Sequence, residues 1–292
     1  MRHTARLLLV ILMLLTLTVT AISETVEESE AVQGEMEPLY FHQIDIGCAN
    51  GDLISVGDTV ILVDCGTNTD VKTATNKELL EYLAAANVDH IDYWIVTHYH
   101  NDHAYNLDVL LEMYGTDDTV VFGPSRELPE RFLPLPAGSY QQLKDGDSFS
   151  IGDIDFLCLG PASAEVNGEV NRHSLNIRMD YGDTSFMITG DYVPADLKDR
   201  HPEEIRDIDV LIFPHHGLEP FVITGPNLNK MNSSIVLMTG NNRARVKRYC
   251  NTTNWLSADL YSSGPDGTIV IATDGVKLDL YTQVEPGQFT VR

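Results

Sequence analysis

The sequence predicts an α/β sandwich, two β-sheets packed face to face with helices on their outer sides. Three observations lead there. Apolar runs of strand length dominate both halves of the 292-residue chain, helical patterns are interleaved among them, and several of the runs empty into histidine or aspartate. No internal repeat and no Pro/Gly-rich linker follows residue 38, so residues 39–292 read as one domain.

The first segment stands apart from that domain. Arg2 and Arg6 precede an apolar run from Leu7 to Val19, and Val19-x-Ala21 has the small residues of a cleavage site. Residues 1–21 therefore read as a secretory signal peptide, and the protein as secreted or extracellular. The run is short for a membrane span, which leaves an uncleaved N-terminal anchor as the alternative. No cysteine lies near the cleavage site, which excludes a lipid anchor. Residues 22–38 are acidic and poor in large apolar side chains, the composition of a flexible linker.

Within the domain, LYFHQIDIG (39–47), DLISVGD (52–58) and TVILVDCG (59–66) read as three successive strands closed by Gly and Asp. TNKELLEYLAAANV (75–88) is an amphipathic helix, with Thr75 and Glu78 at capping-box spacing and Leu79, Leu80 and Leu83 as its inner stripe. IDYWIVT (91–97) is a buried strand, and AYNLDVLLEMYG (104–115) a second helix that stops at Gly115. TVVFG and DSFSIGDIDFLCLG supply short strands around a Pro-rich loop, LPERFLPLPAGS (128–139). Strands return at SLNIRMDYG, TSFMITGD, DVLIFPHHG, SSIVLMTG and GTIVIATDG.

Charge and cysteine use narrow the function classes. The net charge is −24, and removal of residues 1–21 takes away two basic and no acidic residues, giving 17 − 43 = −26. Such a body repels polyanions at long range, which excludes a protein that coats nucleic acid and leaves open small phosphate esters held at a metal. One basic cluster, Arg243, Arg245, Lys247 and Arg248, is either a solvated edge or an anion-binding rim. The four cysteines, at 48, 65, 158 and 250, form no CxxC, so a cysteine zinc site is excluded. Cys48 and Cys65 close neighbouring strands, and export would permit them to form a disulfide.

The chemistry gathers at strand ends. THYHNDH (97–103) follows the strand IDYWIVT and places His98 and His100 at i, i+2, on one side if the chain stays extended. Asp102 and His103 follow at once, so one loop offers four ligand-type groups to one metal or to two. Imidazole with carboxylate suits Zn²⁺, with Mn²⁺ or Fe²⁺ as alternatives. Two further apolar strands end in Asp191 and in the pair His215–His216.

THYHNDH matches the HxHxDH signature of the metallo-β-lactamase fold superfamily. The wider pattern resembles the ComEC-like metallohydrolase branch: IDIG…GDLISV, ILVDCGT, NRHSLNIRMDYGDTSFMITGD, DVLIFPHHG and DGTIVIATDG, over roughly residues 40–282. The resemblance implies a four-layer αβ/βα sandwich with the metal site at one edge of the sheets. It implies that His98 and His100 hold a first ion, that Asp102 and His103 hold a second, and that Asp191 bridges them. His216 would complete the second site because it directly precedes Gly217, with His215 as the alternative. His173 stands several residues late for the third histidine of the first ion, so one or two ions are expected. Asp64 occupies a supporting position that orients a ligand histidine. Leu218 replaces the serine of the branch's HHGS, and CAN (48–50) interrupts its GQGD loop; both changes touch substrate positioning.

The resemblance implies hydrolysis by a hydroxide generated at the metals, with Asp102 guiding it or passing its proton to the leaving group. The substrate class it favours is a small or polymeric phosphodiester, because the branch includes nucleases and a phosphorylcholine esterase. The alternatives are a lactonase or β-lactamase, disfavoured by Asp191 where β-lactamases carry cysteine or serine, and a non-catalytic exported metal-binding module.

Overall fold

The computed structural model describes residues 36–67, 77–124, 127–135, 137–161, 169–219, 222–252, 258–285 and 288–291. The signal and nearly all of the linker, with Thr75 of the capping box, lie outside these residues. The described residues belong to one compact unit, Met36–Arg292. Among them no helix is long and apolar enough to cross a membrane.

An antiparallel meander opens the fold: β1 (Leu39–Gln43), β2 (Asp52–Val56) and β3 (Thr59–Val63). Helix α1 (Lys77–Ala85) then crosses to β4 (Tyr93–Ile95), and α2 (Asn101–Ala104) with α3 (Leu107–Tyr114) leads to β5 (Val120–Pro124). β3, β4, β5 and β6 (Ser139–Leu143) run parallel. β7 (Ser148–Ile151), β8 (Ile154–Gly160), β9 (Asn176–Tyr181) and β10 (Thr184–Thr189) form a second antiparallel meander. After it, α4 (Leu197–Arg200), β11 (Val210–Ile212), α5 (Gly225–Met231), β12 (Ile235–Met238), α6 (Arg243–Thr252), β13 (Asp259–Ser262) and α7 (Ser263–Asp266) alternate, and β10 to β13 run parallel. β14 (Ile269–Thr273), β15 (Leu278–Glu285) and β16 (Gln288–Val291) return to the first sheet beside β1.

The result is a nine-stranded sheet, β16-β15-β14-β1-β2-β3-β4-β5-β6, and a seven-stranded sheet, β13-β12-β11-β10-β9-β8-β7. Three buried clusters define four layers. Phe41, Ile61, Val63 and Ile95 of the first sheet pack against Phe156, Ile177, Phe186 and Ile212 of the second. Leu62 and Trp94, on the opposite face, meet Leu79 and Leu83 of α1 and Leu110 of α3. Met187, Leu211 and Val236 meet Leu197 of α4, Leu228 of α5 and Val246 of α6. The switch from Ile61 to Leu62 to Val63 is the period-two alternation of a strand buried on both faces. Across the sheets Phe41 stacks on Phe186 at 5.5 Å and Phe122 on Phe149 at 4.4 Å; such pairs add about 0.5–1.5 kcal/mol each beyond their buried area.

The four-layer sandwich agrees with the sequence reading, which missed several elements. β6 begins at Ser139, the last residue of the segment read as a Pro-rich loop, and was not read because SYQQL lacks the apolar alternation of a core strand. The basic cluster lies on α6, whose few buried residues hide its helical period. No disulfide joins Cys48 and Cys65 among the described residues. Cys65 packs in the outer cluster with Leu62 and Leu79, whereas Cys48 lies beside Gly240, which follows β12.

One close approach fixes where β3 meets the α2 segment. Thr67 N–H donates to Asn101 O at 3.1 Å, and Cys65 N–H to His103 O at 2.7 Å. A Cβ on Gly66, between them, would stand 1.8 Å from the Asp102 carbonyl oxygen. Backbone faces backbone there, so neither side can yield by changing rotamer. Gly66→Ala is therefore expected to lower unfolding free energy by about 1–3 kcal/mol and to weaken metal binding. A denaturation midpoint and metal content equal to those of the unaltered protein would contradict this packing.

Candidate metal centre

Every group of the centre leaves the carboxyl end of a parallel strand, the place where α/β sheets leave a crevice for ligands. Asp64 follows β3, the THYHNDH loop follows β4, Asp191 follows β10, His215 and His216 follow β11, and Thr239 follows β12. Leu175 N–H, before β9, donates to Thr97 O, after β4, at 2.9 Å and so joins the two sheets there, while Asp191 N–H donates to Ser174 Oγ at 2.9 Å within the second.

Two groups of potential ligands converge, each with its donor atoms within 4.8 Å of one another: His98, His100 and Asp191, and Asp102, His103, Asp191 and His216. Asp191 belongs to both, and its oxygens divide between them. Oδ2 lies 3.4 Å from His98 Nε2 and Oδ1 lies 2.9 Å from His103 Nε2. His98 Nε2 and His100 Nδ1 are 3.2 Å apart, on one side as the i, i+2 spacing implied. His216 Nε2 stands 3.3 Å from Asp102 Oδ2 and 3.9 Å from Asp191 Oδ1.

These residues fit a divalent ion. His103 Nε2 and Asp191 Oδ1 are 2.9 Å apart, yet both are buried atoms without a hydrogen-bond partner. Each aims a ligating atom into the centre, and a shared cation satisfies both. The remaining ring nitrogens are anchored from behind. His103 Nδ1–H donates to Asp64 Oδ2 at 2.7 Å, and Asp64 also accepts from Thr97 N–H and Oγ1–H, both at 2.7 Å. Thr239 Oγ1 donates to Asn50 Oδ1 at 3.3 Å and so accepts the His216 Nδ1 proton at 2.7 Å. Both partner sets leave Nε2 as the ligating atom, the arrangement that fixes tautomer and ring direction in metal sites. Asn50 N–H also donates to Asp102 O at 2.8 Å, so the CAN insertion is built into the centre and supports two of its ligands.

The electrostatics point the same way. Burial alone would hold His103 neutral, but the carboxylates of Asp191 and Asp64 lift it well above the ordinary histidine value. Burial would raise Asp191, and the His103 and His98 rings hold it well below the usual carboxylate range. His98, desolvated and beside His103, falls to about 4 and stays neutral. Asp52 is pushed well above its ordinary value by burial and by the Asp64 charge.

The doubled histidine sits on an unusual turn. On an extended chain one ring would point away, but β11 ends at Ile212 and His215, His216 and Gly217 are all left-handed, with φ of 55°, 51° and 68°. Both rings therefore face the centre. His215 Nε2 lies 3.7 Å from Asp191 Oδ2, on the side of His98, and outside either converging group. His173 is buried on the turn before β9 and is likewise not among the converging donors. Of the basic cluster, Arg243 is paired with Asp266 at 2.9 Å, and Arg245 donates to Leu218 O beside the histidine turn. Lys247 and Arg248 are exposed on the same helix. Thr239 and Asn50 were missed from the sequence, where a threonine after a strand and an asparagine in a loop carry no distinguishing spacing.

The model of the metallo-β-lactamase superfamily matches residues 53–221. The chain is 27% identical over 152 residues to ComE operon protein 3 of Bacillus subtilis (strain 168), a match that covers 48% of this chain and 19% of that protein. This chain thus spans about a fifth of that relative. Among solved structures, the metallo-beta-lactamase fold protein YhfI from Bacillus subtilis superposes with a TM-score of 0.56 at 17% identity, covering 78% of this chain and 97% of that one. The CmlA beta-hydroxylase E377D mutant superposes with a TM-score of 0.53 at 11% identity, covering 81% and 53%. At these identities the structures share the fold.

Two outcomes test the centre. Thr239→Val, which cannot accept the His216 proton, should weaken binding of the second ion about 10–100-fold in chelator competition, and Thr239→Ser should restore it. Equal affinities in all three proteins would dissolve the relay. Second, because the raised His103 must give up a proton to bind metal, affinity rises with pH up to its raised value and levels off above it. Calorimetry at neutral pH in buffers of different ionisation enthalpy should register release of about one proton from this ring. No proton release would remove His103 from the ligand set.

Proposed function

The chain belongs to the metallo-β-lactamase superfamily, and from that premise we propose that this metal-dependent hydrolase is exported and cleaves phosphodiester bonds. The observation that carries the hydrolytic reading is the division of the Asp191 carboxylate, one oxygen toward His98 and the other toward His103. With a carboxylate shared in this way, His98 and His100 on one side and Asp102, His103 and His216 on the other would each hold a cation. When bound, such ions supply Lewis acidity and a water acidic enough to attack at neutral pH. We assign Zn²⁺ from the imidazole and carboxylate donors, with Mn²⁺ or Fe²⁺ as the alternatives.

The protein's own groups position and steer. His98, His103 and Asp191 are buried and define the floor. Asp102 is one-fifth exposed, the solvent-facing member of its group. Burial would raise it, but the neighbouring His216 ring and the His103 charge bring it down to about 2, so it stays ionised and is placed to accept a hydrogen bond from a nucleophile. His215, at the mouth and near Asp191, is placed to donate to a non-bridging or leaving oxygen of the substrate. The resemblance to the ComEC-like branch supports a phosphodiester as the bond attacked. The apolar run Leu7–Val19 after Arg2 and Arg6 supports export.

The paired histidines separate ligation from substrate handling. His216→Ala is expected to lose the second equivalent of zinc and most of its turnover of bis(p-nitrophenyl) phosphate. His215→Ala is expected to retain its metal and lose about 10²–10⁴-fold in rate if it donates a proton. The reverse pattern, read by elemental analysis beside the assay, would exchange their roles. A zinc-loaded protein that cleaves lactones or β-lactams and no phosphodiester would overturn the substrate class.

A further inference from the structure

In a chain with 19 basic and 43 acidic residues, three of the eight described arginines, Arg131, Arg245 and Arg248, lack a carboxylate partner. Among the described residues Arg172, Arg178, Arg200, Arg206 and Arg243 each pair with an Asp or Glu. Arg131 and Arg245 instead are held by neutral oxygens, and those oxygens belong to the two loops that carry metal-ligand candidates. Arg131, in the segment after β5, donates from Nη1 to Asn101 Oδ1 at 2.7 Å and from Nη2 to Tyr99 O at 3.2 Å, with its guanidinium 4.4 Å above the Phe132 ring. Tyr99 and Asn101 flank His100. Arg245, on α6, donates to the carbonyl of Leu218, two residues after His216.

We propose that Arg131 and Arg245 form an anion clamp across the metal centre, one arm from each sheet's half of the fold, that takes the phosphates flanking the scissile bond of a phosphodiester chain. Both arginines are exposed and retain guanidinium donors beyond those used to hold them. Being tied down, each loses little freedom when it binds, and a planar guanidinium matches phosphate oxygens two at a time. Neutral anchors leave the positive charges uncompensated by direct pairing, while the acidic body repels polyanions everywhere else. The clamp therefore selects a chain with anionic groups on both sides of the bond cut. A diester flanked by neutral or zwitterionic groups meets only the centre itself.

The proposal rests on the phosphodiester reading, and its test does not require turnover. Zinc-loaded protein would be titrated with a fluorescein-labelled, hydrolysis-resistant phosphorothioate dodecathymidylate, with an oligoglycerophosphate, and with an uncharged methylphosphonate dodecathymidylate. Arg131→Met and Arg245→Met should each weaken binding of a charged oligomer about tenfold, with zinc content unchanged. The double variant should lower the slope of log affinity against log salt by about 1.4. Arg248→Met, on the same helix as Arg245, should change neither, and the methylphosphonate oligomer should distinguish none of the proteins. Whichever charged oligomer responds identifies the natural chain as nucleic acid or polyol phosphate. Unchanged affinity and salt slope in the double variant would overturn the clamp, as would losses that track lost zinc. Binding that responds as expected in a protein that cleaves no phosphodiester would leave the clamp standing and remove the phosphodiesterase reading.

Discussion

The line Asp64–His103–Asp191 is the constraint to which the rest of the centre answers. His103 is fully buried between two carboxylates that are themselves buried, at 2.7 Å on one side and 2.9 Å on the other. A carboxylate taken out of water is strongly destabilising unless a positive charge stands beside it. Asp64 spends its oxygens on His103 and Thr97, whereas Asp191 Oδ1 has no hydrogen bond. A proton on His103 compensates part of this charge without metal, and a cation that touches Asp191 compensates it more fully. The same geometry that makes the interior electronegative thus defines what it binds.

Backbone strain collects around that line. Six residues other than glycine have positive φ among the described residues; three are Asn87, Asp207 and Asn232, of which two are asparagines that tolerate this region. The other three are Asp64, His215 and His216, all at strand ends in the centre. Left-handed backbone at a histidine costs about 1–2 kcal/mol, so a turn with two of them in succession persists only because its surroundings hold it. Asn242 Nδ2 donates to His216 O, and Val246 of α6 lies beneath Gly217. Helix α6 therefore supports the histidine turn and carries Arg245 on the same element, so ligand placement and the rim of the site are mechanically linked.

The parts of this architecture legible in the sequence were those with short-range signatures. Apolar runs ending in Asp64, His98, Asp191 and His216 announced both the strands and the candidate centre, because a strand's carboxyl end and its following loop are adjacent in sequence. β13, β15 and β16 escaped notice because they lie toward sheet edges, where polar side chains blur the alternation. The Thr239–Asn50 support could not be read, since it joins residues 189 positions apart through a register that only the packed sheets define. The orientation of His215 and His216 is likewise out of reach of local reasoning, since an extended chain would turn neighbouring rings to opposite sides where the fold imposes a left-handed turn.

The two groups of donors are unequal, and the inequality bears on how work is divided between them. Asp102, His103, Asp191 and His216 supply four protein donors, enough to close a tetrahedral site, with three of the four buried. His98, His100 and Asp191 supply three, with His100 only partly buried and His173 outside the convergence. Three protein donors with a position left over is the pattern of a site that admits solvent or substrate. The less complete group also lies beside Arg131, which donates to the Tyr99 carbonyl and the Asn101 side-chain amide on either side of His100. A phosphate oxygen entering there would meet an open coordination position and a guanidinium together. The four-donor group would retain its ion, and the three-donor group would be where substrate is received.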